Sequence, residues 1–261
     1  MRTPACCLYA GSVRELGFRR FVAPVIDLDR LVAAPRGYQR FFADLRRYRE
    51  MAPDVKIGLA DAYPQIHDRT PTSAFDPHYF HQDVWAAGRV AELAPERHVD
   101  VGSRVDYVGF LTAITVVTFV DIRPLDVDIE GLTSIAGSIV DMPFDDRSLG
   151  SLSCLHVAEH IGLGRYGDPL DPEGTRKAAA ELQRVLAPGG QLLFSVPVGR
   201  PRTCFNAHRI HEPSEVVQMF PELELVEFAG VDDDGRFRRR RKLEEVAGAR
   251  YACGLFHFSR G

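Results

Sequence analysis

From Arg97 onward the chain alternates short β-branched runs with helical segments. This alternation is typical of a parallel sheet whose strands are joined by crossover helices, so it predicts an α/β fold. Two later runs predict an antiparallel end to the sheet. The predicted strands are His98–Val101, Val116–Asp121, Ser134–Val140, Gly150–His156, Gln191–Val196, Leu223–Ala229 and Tyr251–Ser259, with helices at residues 105–114 and 173–186.

The residues before about 95 have a different pattern, which is helical and rich in aromatic residues. Tyr38–Met51 carries apolar residues at helical spacing and predicts an amphipathic helix. Asp76 followed by Pro77 predicts an N-cap and a first helical position, in a helix that ends near Pro95. We therefore expect an N-terminal helical segment, residues 1–95, and an α/β domain, residues 96–261. The predicted apolar face of the second helix is Phe80, Val84, Trp85 and Val90.

The net charge narrows the class of partner, and the cysteine usage narrows the cellular compartment. Thirty-two Lys and Arg residues stand against 36 Asp and Glu residues, a net charge of -4, so no global positive field favours nucleic acid or anionic membrane. We expect a small-molecule acceptor, and the oligomeric state is left open, with a homodimer as one option. The five cysteines form no CxxC pair, and no apolar run is long enough for an anchor, which together favour a reducing cytoplasm.

Three predicted strand ends carry side chains suited to an adenosine-type ligand. Asp100 and Gly102 close the first strand and open a helix, which places a tight turn and backbone N–H groups at the carboxyl edge of the sheet. Asp121 ends the second strand about twenty residues later, where a carboxylate accepts hydrogen bonds from both ribose hydroxyls. Asp141 follows the third strand and can accept from an adenine amine, with Met142 beside it to cover the ring.

From about His98 to Gly230 the sequence resembles the class I S-adenosylmethionine (SAM)-dependent methyltransferase superfamily. The resemblance is carried by Asp100–Ser103, Asp121, Ile139–Phe144 and, most specifically, Glu181–Leu192. It implies a Rossmann-like sheet, SAM as the cofactor and the N-terminal helices as a lid. The residues that it implies in cofactor binding are Asp100, Gly102, Ser103, Arg104, Asp121, Asp141 and Met142.

The first of these motifs departs from the superfamily pattern, which usually has three spaced glycines. Gly102 is followed here by Ser103 and Arg104, and the next glycine is Gly109. Ser103 is small enough for close approach of a ligand, whereas Arg104 either points away or meets the methionyl carboxylate. The alternative is a methyltransferase-like protein that binds a partner and no cofactor. An NAD enzyme is disfavoured, because its turn would be richer in glycine.

Two longer phrases, HVAEHIGLGRYGDPLDPEG and SVPVGRPRTCFNAHRIHEP, resemble a bacterial subgroup described as a domain of unknown function and often encoded among surface-polysaccharide genes. This resemblance implies a sugar-related acceptor. We expect methyl transfer to an oxygen, as in O-methylation of a hydroxyl, with transfer to a nitrogen as the alternative. Such a hydroxyl must lose its proton as it attacks. We therefore predict His208 as the general base, with Glu159 or His160 orienting the base or the acceptor. The predicted acceptor-binding residues are Arg165, Tyr166, Asp168 and His211.

The same residues allow other interpretations. Each histidine can instead be a packed side chain hydrogen-bonded to the backbone. The string HVAEH also fits the HxxEH pattern of zinc proteases, but the strand before it and the turn-rich segment after it argue against the long helix that this pattern needs. No metal ligand is assigned. A divalent cation at the acceptor site is a minor hypothesis, with Glu159, Asp168, Asp171 and His208 as candidate ligands.

A basic run, Arg236–Lys242, is the strongest local concentration of positive charge. It could bind a phosphate-rich partner. Acidic residues flank it on both sides, so we expect a solvated loop that neutralises itself.

Overall fold

The computed structural model describes residues 27–261, which fall into two compact units, one ending at Phe75 and one spanning Asp76–Gly261. Cys6, Cys7 and the rest of the N-terminus lie outside the described residues. The second unit includes the helix that begins at Pro77. The lid role expected of residues 1–95 stays a prediction.

The first unit contains one long helix, α1 (Leu28–Met51), which confirms the predicted helix but begins ten residues earlier. The Asp27 side chain accepts a hydrogen bond from the Arg30 N–H at 3.1 Å and caps the first turn. Pro35 lies inside the helix and interrupts the periodicity from which the start was predicted. The following residues form a loop with one 3-10 turn, Leu59–Asp61, as the lack of periodicity predicted.

The second unit is built on an eight-stranded sheet with helices between its strands. Its strands are β1 (Arg97–Val101), β2 (Val116–Asp121), β3 (Leu132–Ala136), β4 (Leu149–Leu155), β5 (Leu186–Val198), β8 (Glu224–Val231), β9 (Phe237–Arg238) and β10 (Ala252–Ser259), and a separate hairpin pairs β6 (Arg202–Cys204) with β7 (His208–Ile210). Its helices are α2 (Pro77–Leu93), α3 (Val105–Leu111), α4 (Gly174–Val185), α5 (Pro213–Gln218) and α6 (Glu244–Ala247).

The strand order is β3-β2-β1-β4-β5-β10-β8-β9. The strands from β3 to β5 are parallel, and β10 pairs antiparallel with both β5 and β8. The predicted α/β sheet with an antiparallel end is therefore confirmed. One apolar cluster joins the sheet to α4 and α5, and a second joins it to α2 and α3, so both faces of the sheet are covered.

The third strand was predicted two to four residues too late, because it ends at Ala136 and not at Val140. Gly137 lies so close to β2 that a Cβ there would stand 2.7 Å from Val120 Cγ1. The chain then turns, and Ser138 and Asp141 form an isolated bridge. The β-branched residues Ile139 and Val140 extended the apparent strand, but they belong to this turn.

Helix α2 begins as predicted, with the Asp76 carboxylate accepting from the N–H groups of His78 and Tyr79. The predicted apolar face was wrong in part, since Phe80 and Val84 are more than half exposed. The buried face carries His78, Gln82, Trp85, Ala86 and Val90. Two polar side chains are buried because each finds a partner environment there: Gln82 Oε1 accepts from Ser195 Oγ at 2.5 Å, and the His78 ring stacks on Tyr251.

Two arginines of the basic run are paired with acidic side chains, but not wholly as expected of a solvated loop, since Glu227 belongs to β8 and the Arg241 side chain is 5% exposed. Arg239 pairs with Glu227 at 3.3 Å, and Arg241 pairs with Asp232 at 2.9 Å. Among the helices of residues 27–261, none has both the length and the apolar character that crossing a bilayer requires.

Candidate active site

The glycine turn, Asp100–Arg104, connects β1 to α3 at the carboxyl edge of the sheet. Gly102 has a left-handed φ of 67°, which favours glycine because it has no Cβ. Its N–H donates to the Val120 carbonyl at 2.9 Å, which holds the turn against the end of β2. A compact turn therefore stands beside the end of the neighbouring strand.

Asp100 is fully buried under this turn and does not face solvent. Its carboxylate accepts from Ser103 N–H at 3.0 Å and Ser103 Oγ at 2.7 Å, and Ser153 Oγ also donates to it. Burial raises the pKa of Asp100 to about 7, although the hydrogen bonds from Ser153 and Ser103 act in the opposite direction. Any contribution of Asp100 to ligand binding is through the shape of the turn.

Asp121 lies directly beside Gly102. A Cβ on Gly102 would stand 3.6 Å from Asp121 Oδ2, so the two residues border the same space. Asp121 Oδ1 accepts from the Arg123 N–H at 2.7 Å, and within residues 27–261 no hydrogen bond to Oδ2 is formed. The carboxylate is about one-fifth exposed. A partly exposed carboxylate oxygen is thus available at the end of β2, where the sequence predicted it.

The segment predicted to bind adenine, with Asp141 and Met142, follows β3 and is held by helix α4. Met142 is buried, and its N–H donates to Glu181 Oε1 at 2.7 Å. Arg184 donates to the carbonyls of Met142 and Phe144 at 3.3 and 3.0 Å and pairs with Glu181. Asp141 is exposed beside them. The segment is fixed by two residues of α4 that the sequence pattern had marked only as part of a motif.

Arg104 is not an unpaired cation beside the glycine turn. Its guanidinium pairs with Asp106 at 2.8 Å and lies 5.2 Å from the centre of the Tyr79 ring. Tyr79 also contacts His156, with the two ring centres 5.4 Å apart. The glycine turn is therefore connected through an aromatic ring to the end of β4.

The β4–α4 loop, residues 156–173, places a buried carboxylate among histidines. Glu159 Oε1 lies 2.7 Å from His156 Nδ1 and 3.6 Å from His160 Nε2. Burial acts to raise the pKa of Glu159, but the combined effect of the two histidines is larger and lowers the pKa to about 2. His160 Nδ1 also lies 2.6 Å from the Ala207 carbonyl. Glu159 is therefore ionised, and it contacts both flanking histidines.

His208 and His211 lie on and just after β7, close enough to Glu159 for its charge to affect them. Burial lowers the pKa of each to about 4, against the opposing effect of Glu159. The Nε2 atoms of both are buried without a hydrogen-bond partner among the described residues. The structure therefore brings the three predicted catalytic residues, His208, Glu159 and His160, into one cluster, with His208 neutral near pH 7.

The predicted acceptor-binding residues differ in their surroundings and in their exposure to solvent. Tyr166 is 40% exposed, and two guanidinium groups lie near its ring, Arg123 at 4.8 Å and Arg165 at 5.1 Å from the ring centre. Asp168 instead accepts from the N–H groups of Gly162 and Tyr166, so it closes its own loop. His211 is buried beside the end of β5.

The proposed cation ligands Glu159, Asp168, Asp171 and His208 are not brought together as a set in the described part of the chain. Asp168 binds backbone amides, and Asp171 pairs with Lys177 at 2.6 Å on the surface. The minor hypothesis of a cation on these four residues therefore gains no support from their positions. A different group, His78, His156 and Cys253, does place three ligand atoms close together.

Sequence reasoning did not single out His156, His78 and Tyr251, whose rings lie beside the site; His78 stacks on both of the others, and Tyr79 is tilted against His156. His156 has a left-handed φ of 56°, a conformation that costs a non-glycine residue about 1–2 kcal/mol. It directly follows β4, as Gly102 directly follows β1, and this position was the signal that could have found it. His78 and Tyr251 come from distant parts of the chain and gave no local signal.

Comparisons with known proteins agree with this architecture. The family model described as "Caenorhabditis protein of unknown function, DUF268" matches residues 146–245, which is less than half of the chain. No curated protein sequence matches. The matched stretch includes the β4–α4 loop and the β6–β7 hairpin, so the clustered residues at the candidate site fall within it.

Solved structures show the fold. A protein provisionally described as a sarcosine dimethylglycine methyltransferase from Galdieria sulphuraria is 14% identical, with a TM-score of 0.51 over 69% of this chain and 84% of that chain. The N-methyltransferase NodS from Bradyrhizobium japonicum, solved with S-adenosyl-L-homocysteine, is 18% identical, with a TM-score of 0.49 over 76% of this chain and 91% of that one. The fold is the Rossmann-like fold of class I methyltransferases.

Proposed function

We propose that this protein is a SAM-dependent methyltransferase that methylates a hydroxyl group of a small, sugar-related acceptor. The observation that carries the proposal is the pairing of Gly102 with Asp121. At the carboxyl ends of two adjacent parallel strands, a left-handed glycine borders a carboxylate with an available oxygen, in a sheet of the methyltransferase type.

The residues around this pair fit an adenosine-containing cofactor. Asp121 Oδ2 can accept from ribose hydroxyls, because Oδ1 alone is engaged by the Arg123 N–H. Asp141 and the buried Met142 would hold the adenine, on the loop fixed by Glu181 and Arg184. SAM, when bound, supplies an electrophilic methyl group on a sulfonium. Gly102 and Ser103 shape the turn against which it would lie, and Arg104 would border its amino-acid end.

The histidine cluster supports proton removal from a hydroxyl acceptor. His208 is neutral above about pH 4, because burial lowers its pKa, and its Nε2 is not engaged by another described residue. A neutral imidazole can take the proton as the hydroxyl attacks. Glu159 would stabilise the imidazolium that forms, and His160 is fixed for a positioning role by the Ala207 carbonyl.

The acceptor would bind along the β4–α4 loop. Tyr166 offers a partly exposed ring, and Arg123 and Arg165 offer guanidinium donors close to it. This combination suits the apolar face and the hydroxyls of a sugar. Asp168 would order the loop, and His211 would lie behind it. We place the protein in the cytoplasm on its cysteine usage, and we connect it with surface-polysaccharide synthesis on the sequence resemblance alone.

The first test of the proposal is calorimetric titration of the full chain with SAM and with S-adenosyl-L-homocysteine. We expect micromolar binding of both, and Asp121→Ala should weaken it about 100-fold or more, because two hydrogen bonds to a charged group are lost. Asp128→Ala, in the exposed loop that follows β2, is the matched control and should bind as wild type. Failure of the wild-type protein to bind either molecule would favour the cofactor-free binding protein.

The base is tested separately by turnover. His208→Ala should leave SAM binding intact and reduce methylation of a hydroxyl-bearing sugar library by roughly 100-fold or more, measured by mass spectrometry. Unchanged turnover in that variant would reject His208 as the base and leave the cofactor site untouched.

A further inference from the structure

Three side chains with metal-binding atoms meet inside the second unit. His78 comes from the first turn of α2, His156 from the end of β4 and Cys253 from β10. One nitrogen of each histidine and the cysteine sulfur all lie within 4.8 Å of one another, and all three residues are buried. Among the described residues, this is the one group in which three such ligand atoms lie this close together.

His156 is oriented for coordination by the hydrogen bond on its other nitrogen. Nδ1 lies 2.7 Å from Glu159 Oε1, which directs Nε2 away from the carboxylate. The His156 side chain is 3% exposed, and its Nε2 makes no hydrogen bond of regular geometry among the described residues, where the Cys253 thiol is its neighbour. Coordination of an ion shared with Cys253 would satisfy this buried nitrogen. A carboxylate behind a histidine is the arrangement that orients metal-binding histidines.

The charges around the group suit a divalent cation. Burying such an ion is costly unless negative charge balances it. Cys253 as a thiolate would supply one negative charge, and the carboxylate of Glu159, whose Oε1 lies 2.7 Å from His156 Nδ1, would supply the second. The site would therefore be neutral overall.

We propose that His78, His156 and Cys253 form a Zn²⁺-binding site. Two imidazole nitrogens and a thiolate are a preferred ligand set for Zn²⁺, whereas Mg²⁺ and Ca²⁺ prefer oxygen. Three protein ligands leave one tetrahedral position for water or an exogenous donor. On binding, the sulfur–hydrogen bond of Cys253 is replaced by a sulfur–zinc bond, and one proton is released to solvent.

The geometry requires a small contraction. Zn–N bonds of about 2.0–2.1 Å and a Zn–S bond of about 2.3 Å place tetrahedral ligand atoms roughly 3.3–3.6 Å apart. The ligand atoms lie within 4.8 Å, so each has to move by no more than about 1 Å, which side-chain rotation can supply. The rings of His78 and His156 are nearly parallel, with centres 6.0 Å apart, so they also have to turn for the nitrogen lone pairs, which lie in the ring planes, to point at one ion.

Binding is tested with Zn²⁺ alone on the full-length, chelator-stripped protein, and so does not depend on the proposed transferase activity. We expect one equivalent of zinc by elemental mass spectrometry. Substitution with Co²⁺ should give the near-ultraviolet absorption of a thiolate-to-cobalt charge transfer. Cys253→Ser and His156→Ala should each lose stoichiometric zinc, and Glu159→Gln should weaken it about 10- to 100-fold.

Matched controls separate this site from other thiols and imidazoles. Cys204→Ser and His81→Ala, the latter on the same helix as His78, should bind zinc as wild type. The double variant Cys6→Ser, Cys7→Ser should do the same, and loss of zinc there would overturn the proposal. So would a wild-type protein without the cobalt charge-transfer band, an outcome that does not depend on whether any variant folds.

Discussion

At the residue scale, Asp100 shows that a carboxylate next to a glycine turn can serve the turn itself. The sequence predicted it as a cofactor contact, and the structure places it in a buried polar row. His98 lies 2.7 Å from Ser151 Oγ and 2.8 Å from Ser153 Oγ, and Ser153 in turn donates to Asp100. Each member has a partner, which is the condition for burying a polar network.

The pKa of Asp100 gives a testable pH dependence. In the folded chain burial raises it to about 7, whereas an unfolded aspartate titrates near about 3.9. Between these values the folded chain keeps a proton that the unfolded chain has released, so this group lowers the free energy of unfolding as the pH rises. Asp100→Asn does not titrate. The free energy of unfolding of the wild type minus that of the variant should therefore fall by up to about 1.4 kcal/mol per pH unit from pH ~4 to ~7.

This difference is measured by urea unfolding of both proteins at several pH values in that range. A difference that stays constant, or that rises with pH, would show that Asp100 is ionised in the folded chain.

Single residues differ in how much the sequence could reveal about them. Asp121 was predictable, because it ends a strand and its neighbours in the motif have fixed spacing. The state of His208 was not, because its lowered pKa results from burial by residues far away in the chain, among them Tyr251, whose ring is 5.0 Å distant.

At the element scale, the β4–α4 loop is held by close backbone contacts that only glycine permits. A Cβ on Gly162 would stand 2.0 Å from the Asp171 carbonyl oxygen, and one on Gly174 would stand 2.2 Å from that of Ile161. Arg209 donates to both of these carbonyls, at 2.9 and 2.5 Å. The loop that carries Glu159 and His160 is thus fixed at its ends.

Gly174→Ala should destabilise the protein by roughly 1–3 kcal/mol, because the added methyl group would displace the backbone at Ile161. Gly88→Ala is the matched control, since Gly88 lies inside α2 with no atom within 4 Å of an added Cβ. That change should stabilise the helix by about 0.5–1 kcal/mol. Both are measured by denaturant unfolding, and equal effects of the two substitutions would contradict the packing argument.

Helix α2 illustrates why faces are harder to predict than helices. Its start was encoded locally by Asp76 and Pro77, which act on the first turn alone. Its buried face was decided by what lies opposite, because Ser195 and Tyr251 receive Gln82 and His78. Apolar periodicity therefore located the helix and selected Phe80 and Val84 wrongly.

At the scale of the second unit, the strand order explains where the candidate site lies. The order runs β3-β2-β1 on one side and continues β4-β5 on the other, so it reverses between β1 and β4. Crossovers leave in opposite directions at such a point and open a crevice at the carboxyl edge, where ligands of these sheets bind. Gly102 follows β1 and His156 follows β4, and Val157 contacts the glycine turn.

Ligand binding at this point should stabilise the second unit as a whole. S-adenosyl-L-homocysteine at 100 times its dissociation constant adds about 2.7 kcal/mol to the free energy of unfolding. For a unit of this size that raises the thermal midpoint by roughly 5–10 °C. Differential scanning fluorimetry of the full chain measures it. The shift should vanish in Asp121→Ala, and persistence of the full shift there would place the ligand elsewhere.

The sequence by itself determined the features that depend on neighbours in the chain: the alternation of strands and helices, the cap at Asp76, the turn at Gly102 and the acid at Asp121. These follow from backbone conformation and periodicity, which act over a few residues. Only the tertiary structure decided which polar groups are buried and which meet. Asp100 became internal, the end of β3 was set by contact with Val120, and His78, His156 and Cys253 converged from separate elements, because packing joins residues that no spacing in the sequence relates.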